Sequence, residues 1–132
     1  MTHQFRTHYT LDQARALLPK IRQWLDAISR ERQRLDEIDP QIESLLASGA
    51  DAGGHAVNRK ARGMAAIKGF LNEFESRGIL IKDLDRGLID FPAILGGREV
   101  FLCWERDEED IEFWHDLDTG YAGRERIGGG DQ

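Results

Sequence analysis

The chain is short of cysteine, of proline and of uninterrupted apolar sequence. Its one cysteine, Cys103, excludes an intrachain disulfide. Set in the apolar run EVFLCW, that thiol reads as buried and inert rather than as a nucleophile. No window approaches the roughly 20 apolar residues that a membrane-spanning helix needs. The N-terminal MTHQFRTHYT has neither the apolar core nor the cleavage site of an export signal, so the expected location is the cytoplasm. Positive charge is in deficit too: 18 basic residues face 24 acidic ones. A field of that sign repels phosphates and excludes a general binder of nucleic acid or anionic membrane. At 132 residues the chain still has enough sequence for a hydrophobic core without disulfide or structural metal. The expectation is one α+β domain over residues 1–126 and a disordered tail over 127–132, where three glycines run together.

What is present is periodic. Thr10 followed by Gln13 has the spacing of a capping box at a helix start. Ala14, Leu18, Ile21, Leu25 and Ile28, then Leu35, Ile42 and Leu46, recur at heptad-like spacing, the mark of a long helix that pairs with another. Pro19 predicts a kink in its first turns. Asp39 and Pro40 supply an N-cap and first-turn pair at which the helix can restart. SGADAGGHA, residues 48–56, reads as a loop. A second helix is predicted over 57–77, with Val57, Ala61, Met64, Ile67, Leu71 and Phe74 on its buried face and Gly78 at its end. Gly63 and Gly69 within it cost about 1 kcal/mol each relative to alanine and suit the close approach of a neighbouring helix. The first helix outruns the second, so part of its stripe needs another partner. The sheet supplies some of it and a second copy of the chain the rest, which makes a dimer the expected state.

From Ile79 onward the period shortens to that of strands. Four are predicted, over 79–83, 88–91, 99–105 and 111–116. Their connections are Asp85-Arg86-Gly87, Gly96-Gly97 and an acidic loop over 107–110, so the sheet is a small antiparallel meander behind a helical hairpin. The first turn has two readings. A type I turn at Asp85-Arg86 with Gly87 in a bulge sets Lys82 opposite Asp90. A two-residue turn sets Asp83 opposite Asp90, like charges that need a cation between them. A four-residue acidic loop sets Trp104 opposite Phe113, with Leu102 and His115 on that face. Phe101, Cys103, Trp114 and Asp116 then share the other. Both faces carry large apolar groups, where a one-sided sheet alternates apolar with polar.

YTLDQARALLP at Tyr9–Pro19, GILIKDLDRGLIDFPA at Gly78–Ala93, and VFLCW followed by FWHDLDTGYAGR are similar to the bacterial family known as domain of unknown function 2203. The resemblance covers nearly the whole chain. It implies a small bacterial cytosolic protein with no established activity, and it brings no catalytic residues to carry over.

Candidate chemistry therefore rests on the residues themselves, and it concentrates between Gly87 and Arg124. His115, Asp116 and Asp118, with Asp83 and Asp90 from the first turn, are the candidate metal ligands. Imidazole nitrogen and carboxylate oxygen suit zinc, manganese or iron, and His3 and His8 are further donors. The spacing matches no strong metal motif. The calcium-loop pattern fails because Gly87 stands one place early and Ile94 occupies the twelfth position. The same aspartates serve equally well as turn caps. Trp104, Trp114, Tyr121, Arg98 and Arg124 form a candidate ligand or partner surface, although Arg98 and Arg124 also suffice to neutralise Asp116 and Asp118. No Ser-His-Asp order and no phosphate-binding loop of the Walker type is present. Three functions stay open. The leading one is an interaction module that self-associates through its helices. The others are a divalent-metal-assisted hydrolase built on the His/Asp-rich corner, and a small-ligand sensor with Trp104 and Trp114 lining its pocket.

Overall fold

The structure, a computed structural model, describes residues 3–49 and 54–128. Helix α1 spans Leu11–Ala47 and helix α2 His55–Glu75. A five-stranded antiparallel sheet follows in the order β1 (Leu80–Asp83), β2 (Leu88–Leu95), β3 (Arg98–Glu105), β4 (Phe113–Asp116), β5 (Glu125–Arg126), with a 3-10 turn at Tyr121–Gly123 before β5. The α+β architecture and the meander are as the periodicities predict, with β5 a short fifth strand. The described residues gather into two compact units. One holds those up to Arg22 and from Phe74 onward, the other Gln23–Glu73. Of the predicted tail, residues 129–132 lie outside the described residues. Ile127 donates its amide to the Glu112 carbonyl at 2.8 Å. Residues 50–53 of the predicted interhelical loop also lie outside them, and His55 and Ala56 belong to α2.

The start of α1 is set by the predicted capping box. Gln13 N–H donates to Thr10 Oγ1 at 3.1 Å, and Thr10 N–H donates to Gln13 Oε1 at 2.9 Å, so two orphan amides are satisfied reciprocally. Neither Pro19 nor Pro40 ends the helix, which runs without interruption to Ala47. In the unit of residues 23–73 the two helices run antiparallel. Lys60 pairs with Asp39 at 2.7 Å and Arg59 donates to Gln41 at 3.0 Å. Gly63 faces Leu35 so closely that a Cβ there would meet its side chain at 3.0 Å, whereas a Cβ on Gly69 would meet nothing, so the expected close approach holds at Gly63 alone. Phe74 is buried and Ile67 and Leu71 are half-buried as expected, but the first half of α2 departs from expectation. Ala56 and Gly63 are buried, whereas Val57, Ala61 and Met64 of the predicted buried face are exposed. A glycine contact allows closer helix packing than the larger residues would, and it turns those residues outward.

In the other unit, the Gly96-Gly97 turn pairs Leu95 with Arg98 and so sets Asp90 opposite Cys103. The β3–β4 register is one residue away from expectation: Cys103 faces Phe113, Leu102 faces Trp114 and Phe101 faces His115. The cause is the acidic connection, which is longer than four residues and is pinned. Trp104 Nε1–H donates to the Glu108 carbonyl at 3.0 Å, and Glu105 N–H donates to Glu108 Oε1 at 2.8 Å. Arg22 donates to the carbonyls of Arg106, Glu108 and Glu109, and Arg15 to that of Ile111. Ile111 is buried short of the strand. Because side chains alternate, this slip moves His115 to the face of Phe101 and Cys103 and brings Trp114 to the face of Ile89, Leu102 and Trp104.

Neither reading of the first turn gives the β1–β2 register. The type I turn at Asp85-Arg86 with left-handed Gly87 (φ 66°) is present, closed by Gly87 N–H on the Leu84 carbonyl. However, a further irregularity between Ile81 and Asp83 pairs Leu80 with Asp90 and leaves Lys82 on a bulge. Farther along, β2 has no β1 partner beyond Asp90. Pro92 fits there because it has no amide to donate, and its carbonyl accepts from Tyr9 N–H at 2.7 Å.

Candidate functional site

Three adjacent strands bring Asp90, Cys103 and His115 onto one face of the sheet. Asp90 and Cys103 are direct cross-strand partners, and His115 lies opposite Phe101, two residues before Cys103. All three are buried, and one ligand atom from each lies within 4.8 Å of the others. A cavity of about 140 Å³ opens beside them, lined also by Lys82, Leu117 and Tyr121.

The hydrogen bonds define the imidazole. His115 Nδ1 lies 2.7 Å from the Asp116 carbonyl, which only accepts, so Nδ1 carries a proton. Nε2 then faces Asp90 Oδ2 at 3.1 Å. The other carboxylate oxygen, Asp90 Oδ1, is buried with no hydrogen-bond partner. Burial pushes the Asp90 carboxyl up, with the His115 ring and the Cys103 thiol pulling the other way. Burial, with Asp90 adding to it, raises the Cys103 thiol to about 12. The arrangement is not that of a cysteine nucleophile. Such a site puts histidine between cysteine and a carboxylate, whereas here both ring nitrogens are engaged elsewhere and the carboxylate opposes thiolate formation.

Around the three residues stands a shell of paired arginines. Arg124 reaches Cys103 Sγ at 3.9 Å and binds Glu108 through two contacts, at 3.1 and 2.8 Å. Its guanidinium lies 4.0 Å from the Phe113 ring centroid and 4.2 Å from that of Tyr121. Arg86 lies 4.5 Å from the Tyr121 ring and donates twice to Glu105, at 2.9 and 3.1 Å. Two cations thus hold Tyr121 at the cavity. Gly120 beside it has φ 68° and ψ −169°, a combination open only to glycine.

The other candidate residues disperse. Asp116 pairs with Arg98. Asp83 accepts the Arg86 amide at 3.1 Å and so caps the first turn. Asp118 is exposed. Of the five proposed metal ligands, then, only Asp90 and His115 come together. Trp104 is 0% exposed and belongs to the core, not to a surface. Trp114 and Arg98 line a separate cleft of about 380 Å³ with Arg126 and Glu125, and Trp104 has no part in it. His3 and His8 gather instead at Glu99, where His8 Nε2 and Glu99 Oε2 are 2.7 Å apart. Cys103 and Lys82 are the members of the site that sequence reasoning passed over. A signal for Cys103 existed: a two-residue Gly96-Gly97 turn implies its pairing with Asp90.

Residues 7–127 match the model of a family described as "Uncharacterized conserved protein (DUF2203)". No curated protein and no solved structure matches the chain.

Proposed function

That match makes the chain a member of the DUF2203 family, and from the site alone we propose that it binds one zinc-type ion through Asp90, Cys103 and His115 and uses it in metal-assisted hydrolysis. The observation that carries this reading is the orphaned Asp90 Oδ1, buried beside a thiol and an imidazole within 4.8 Å. A buried carboxylate oxygen without a partner is costly and calls for an ion or donor. The other nitrogen of the His115 ring supports the assignment. Metal-bound histidines usually donate their other N–H to a carbonyl or carboxylate, which fixes the ring, and His115 Nδ1 does so to Asp116. A divalent ion deprotonates a coordinating thiol, which offsets the rise that burial imposes on Cys103. One thiolate and one carboxylate then balance the charge of the ion. The cavity leaves room beside the three residues for substrate, and an ion held there would supply Lewis-acid activation of water.

The test is elemental analysis of protein purified without chelator or affinity metal, alongside Cys103→Ser and His115→Ala. The expected result is close to one zinc per chain in the parent and loss in both variants, with far-ultraviolet circular dichroism confirming that the variants fold. A parent protein that stays metal-free after zinc addition overturns the reading.

A second observation favours self-association of the helical unit. Val57 is 42% exposed, Met64 56% and Leu46 62%, an apolar series that a monomer leaves in water. We propose that residues 23–73 pair two copies of the chain. Sedimentation equilibrium showing a strict monomer at high concentration contradicts this.

A further inference from the structure

We propose that Lys82 and the cavity beside Asp90, Cys103 and His115 form a subsite for a small oxyanion, a phosphate or carboxylate group held between the bound ion and the lysine ammonium. The inference rests on the metal reading above and names the class of substrate that site takes.

Four observations carry it. First, Lys82 sits on the irregularity between Ile81 and Asp83. Bulges re-aim side chains and recur beside functional sites, and this one places Lys82 in the lining of the cavity. Second, the cations around the site are otherwise committed. Arg86 pairs with Glu105 and Arg124 with Glu108. Lys82 makes no ion pair among the described residues, and its ammonium rests over the Phe101 ring at 5.0 Å. Third, Asp90, the acid that shares the cavity lining with Lys82, is a ligand in the metal reading. Zinc with one thiolate and one carboxylate is neutral as a set, so the Lys82 charge is left for an incoming anion. Fourth, the size fits. A cavity of about 140 Å³ holds between four and five water molecules at about 30 Å³ each. That admits an oxyanion head group and leaves the remainder of a larger substrate outside. At Gly120, on the same lining, a Cβ would enter open space, so the glycine adds nothing that fills the opening.

The experiment titrates the zinc-loaded full-length protein with inorganic phosphate and, separately, with acetate, followed by calorimetry. Parent, Lys82→Gln and Lys82→Arg are compared, and zinc content is measured first in each. The expected result is full zinc content in all three, saturable binding of at least one anion by the parent, about tenfold or greater weakening in Lys82→Gln, and recovery of most of it in Lys82→Arg. Whichever anion binds identifies the group. Zinc-loaded parent that takes up neither anion overturns the proposal, as does equal binding by Lys82→Gln. Loss of zinc from Lys82→Gln also overturns it, because the lysine then supports the ion and not an anion. If the parent takes up no zinc, the metal reading has failed and this inference falls with it, a result visible before any anion is added.

Discussion

Single side chains in this protein are defined by what faces them, and Glu99 shows how far that reaches. Its carboxylate accepts the amides of Gln4 at 2.8 Å and Phe5 at 3.0 Å as well as the His8 ring. Burial pushes its carboxyl up, but the His8 contact and the two amides outweigh burial and bring it to about 2, from an ordinary 4.5. The sign follows. A carboxyl lowered in the folded state stabilises above its unfolded range, and that contribution is lost as pH falls from about 4.5 through about 2. The N-terminal arm is therefore expected to stay latched at pH 4 and to release near pH 2. The amide proton shifts of Gln4 and Phe5 followed by NMR should share that midpoint and lose it in Glu99→Gln. A midpoint near 4.5 would show that the latch does not hold the carboxylate. The same logic separates Asp90 from Glu99. Glu99 has donors for both oxygens, whereas Asp90 has one oxygen with none.

At the scale of elements, turns decide where those side chains go. Gly87 closes the β1–β2 turn at φ 66°, and a Cβ on it would meet Arg106 Cβ at 2.6 Å. A left-handed conformation costs a non-glycine residue about 1–2 kcal/mol, and the clash adds to that. Gly87→Ala is expected to lose about 2 kcal/mol or more in urea denaturation. Arg106→Gly in the same chain should recover only the part due to the clash. A loss under about 0.5 kcal/mol would mean that the turn relaxes. These turns also mark what the sequence could tell. The capping box at Thr10, the strand periods and the Gly96-Gly97 turn were legible because each rests on local chemistry. The β3–β4 register was not, since the length of its loop is set by Arg15 and Arg22, about ninety positions away in the chain. One residue of slip carried His115 to the face of Cys103 and Asp90, and with it the whole candidate site. The phase of α2 was hidden for a related reason. Val57 and Met64 look like core by spacing, but it is Gly63 that meets Leu35 and, with Ala56, is buried.

At the scale of the whole molecule, net negative charge and an exposed apolar series coexist. Residues 55–72 of α2 carry Arg59, Lys60, Arg62 and Lys68 with no acid, while α1 from Asp36 to Ala47 carries Asp36, Glu37, Asp39 and Glu43 with no base. Lys60 already pairs with Asp39 within the chain, so the pairing of two copies is expected to rest mainly on the apolar series and to be weakened by high salt only in part. Val57→Lys with Met64→Lys should yield a monomer by sedimentation with zinc content unchanged; a dimer that persists would place the interface elsewhere. The independence of those two results follows from the ligands all lying outside residues 23–73. Cobalt substitution tests the proposed ion most directly. Metal-free protein loaded with cobalt(II) is expected to show the visible absorption of a tetrahedral ion together with a thiolate-to-cobalt charge-transfer band, and Cys103→Ser should remove that band. No cobalt uptake, or a charge-transfer band that survives in Cys103→Ser, would contradict an ion held by Asp90, Cys103 and His115.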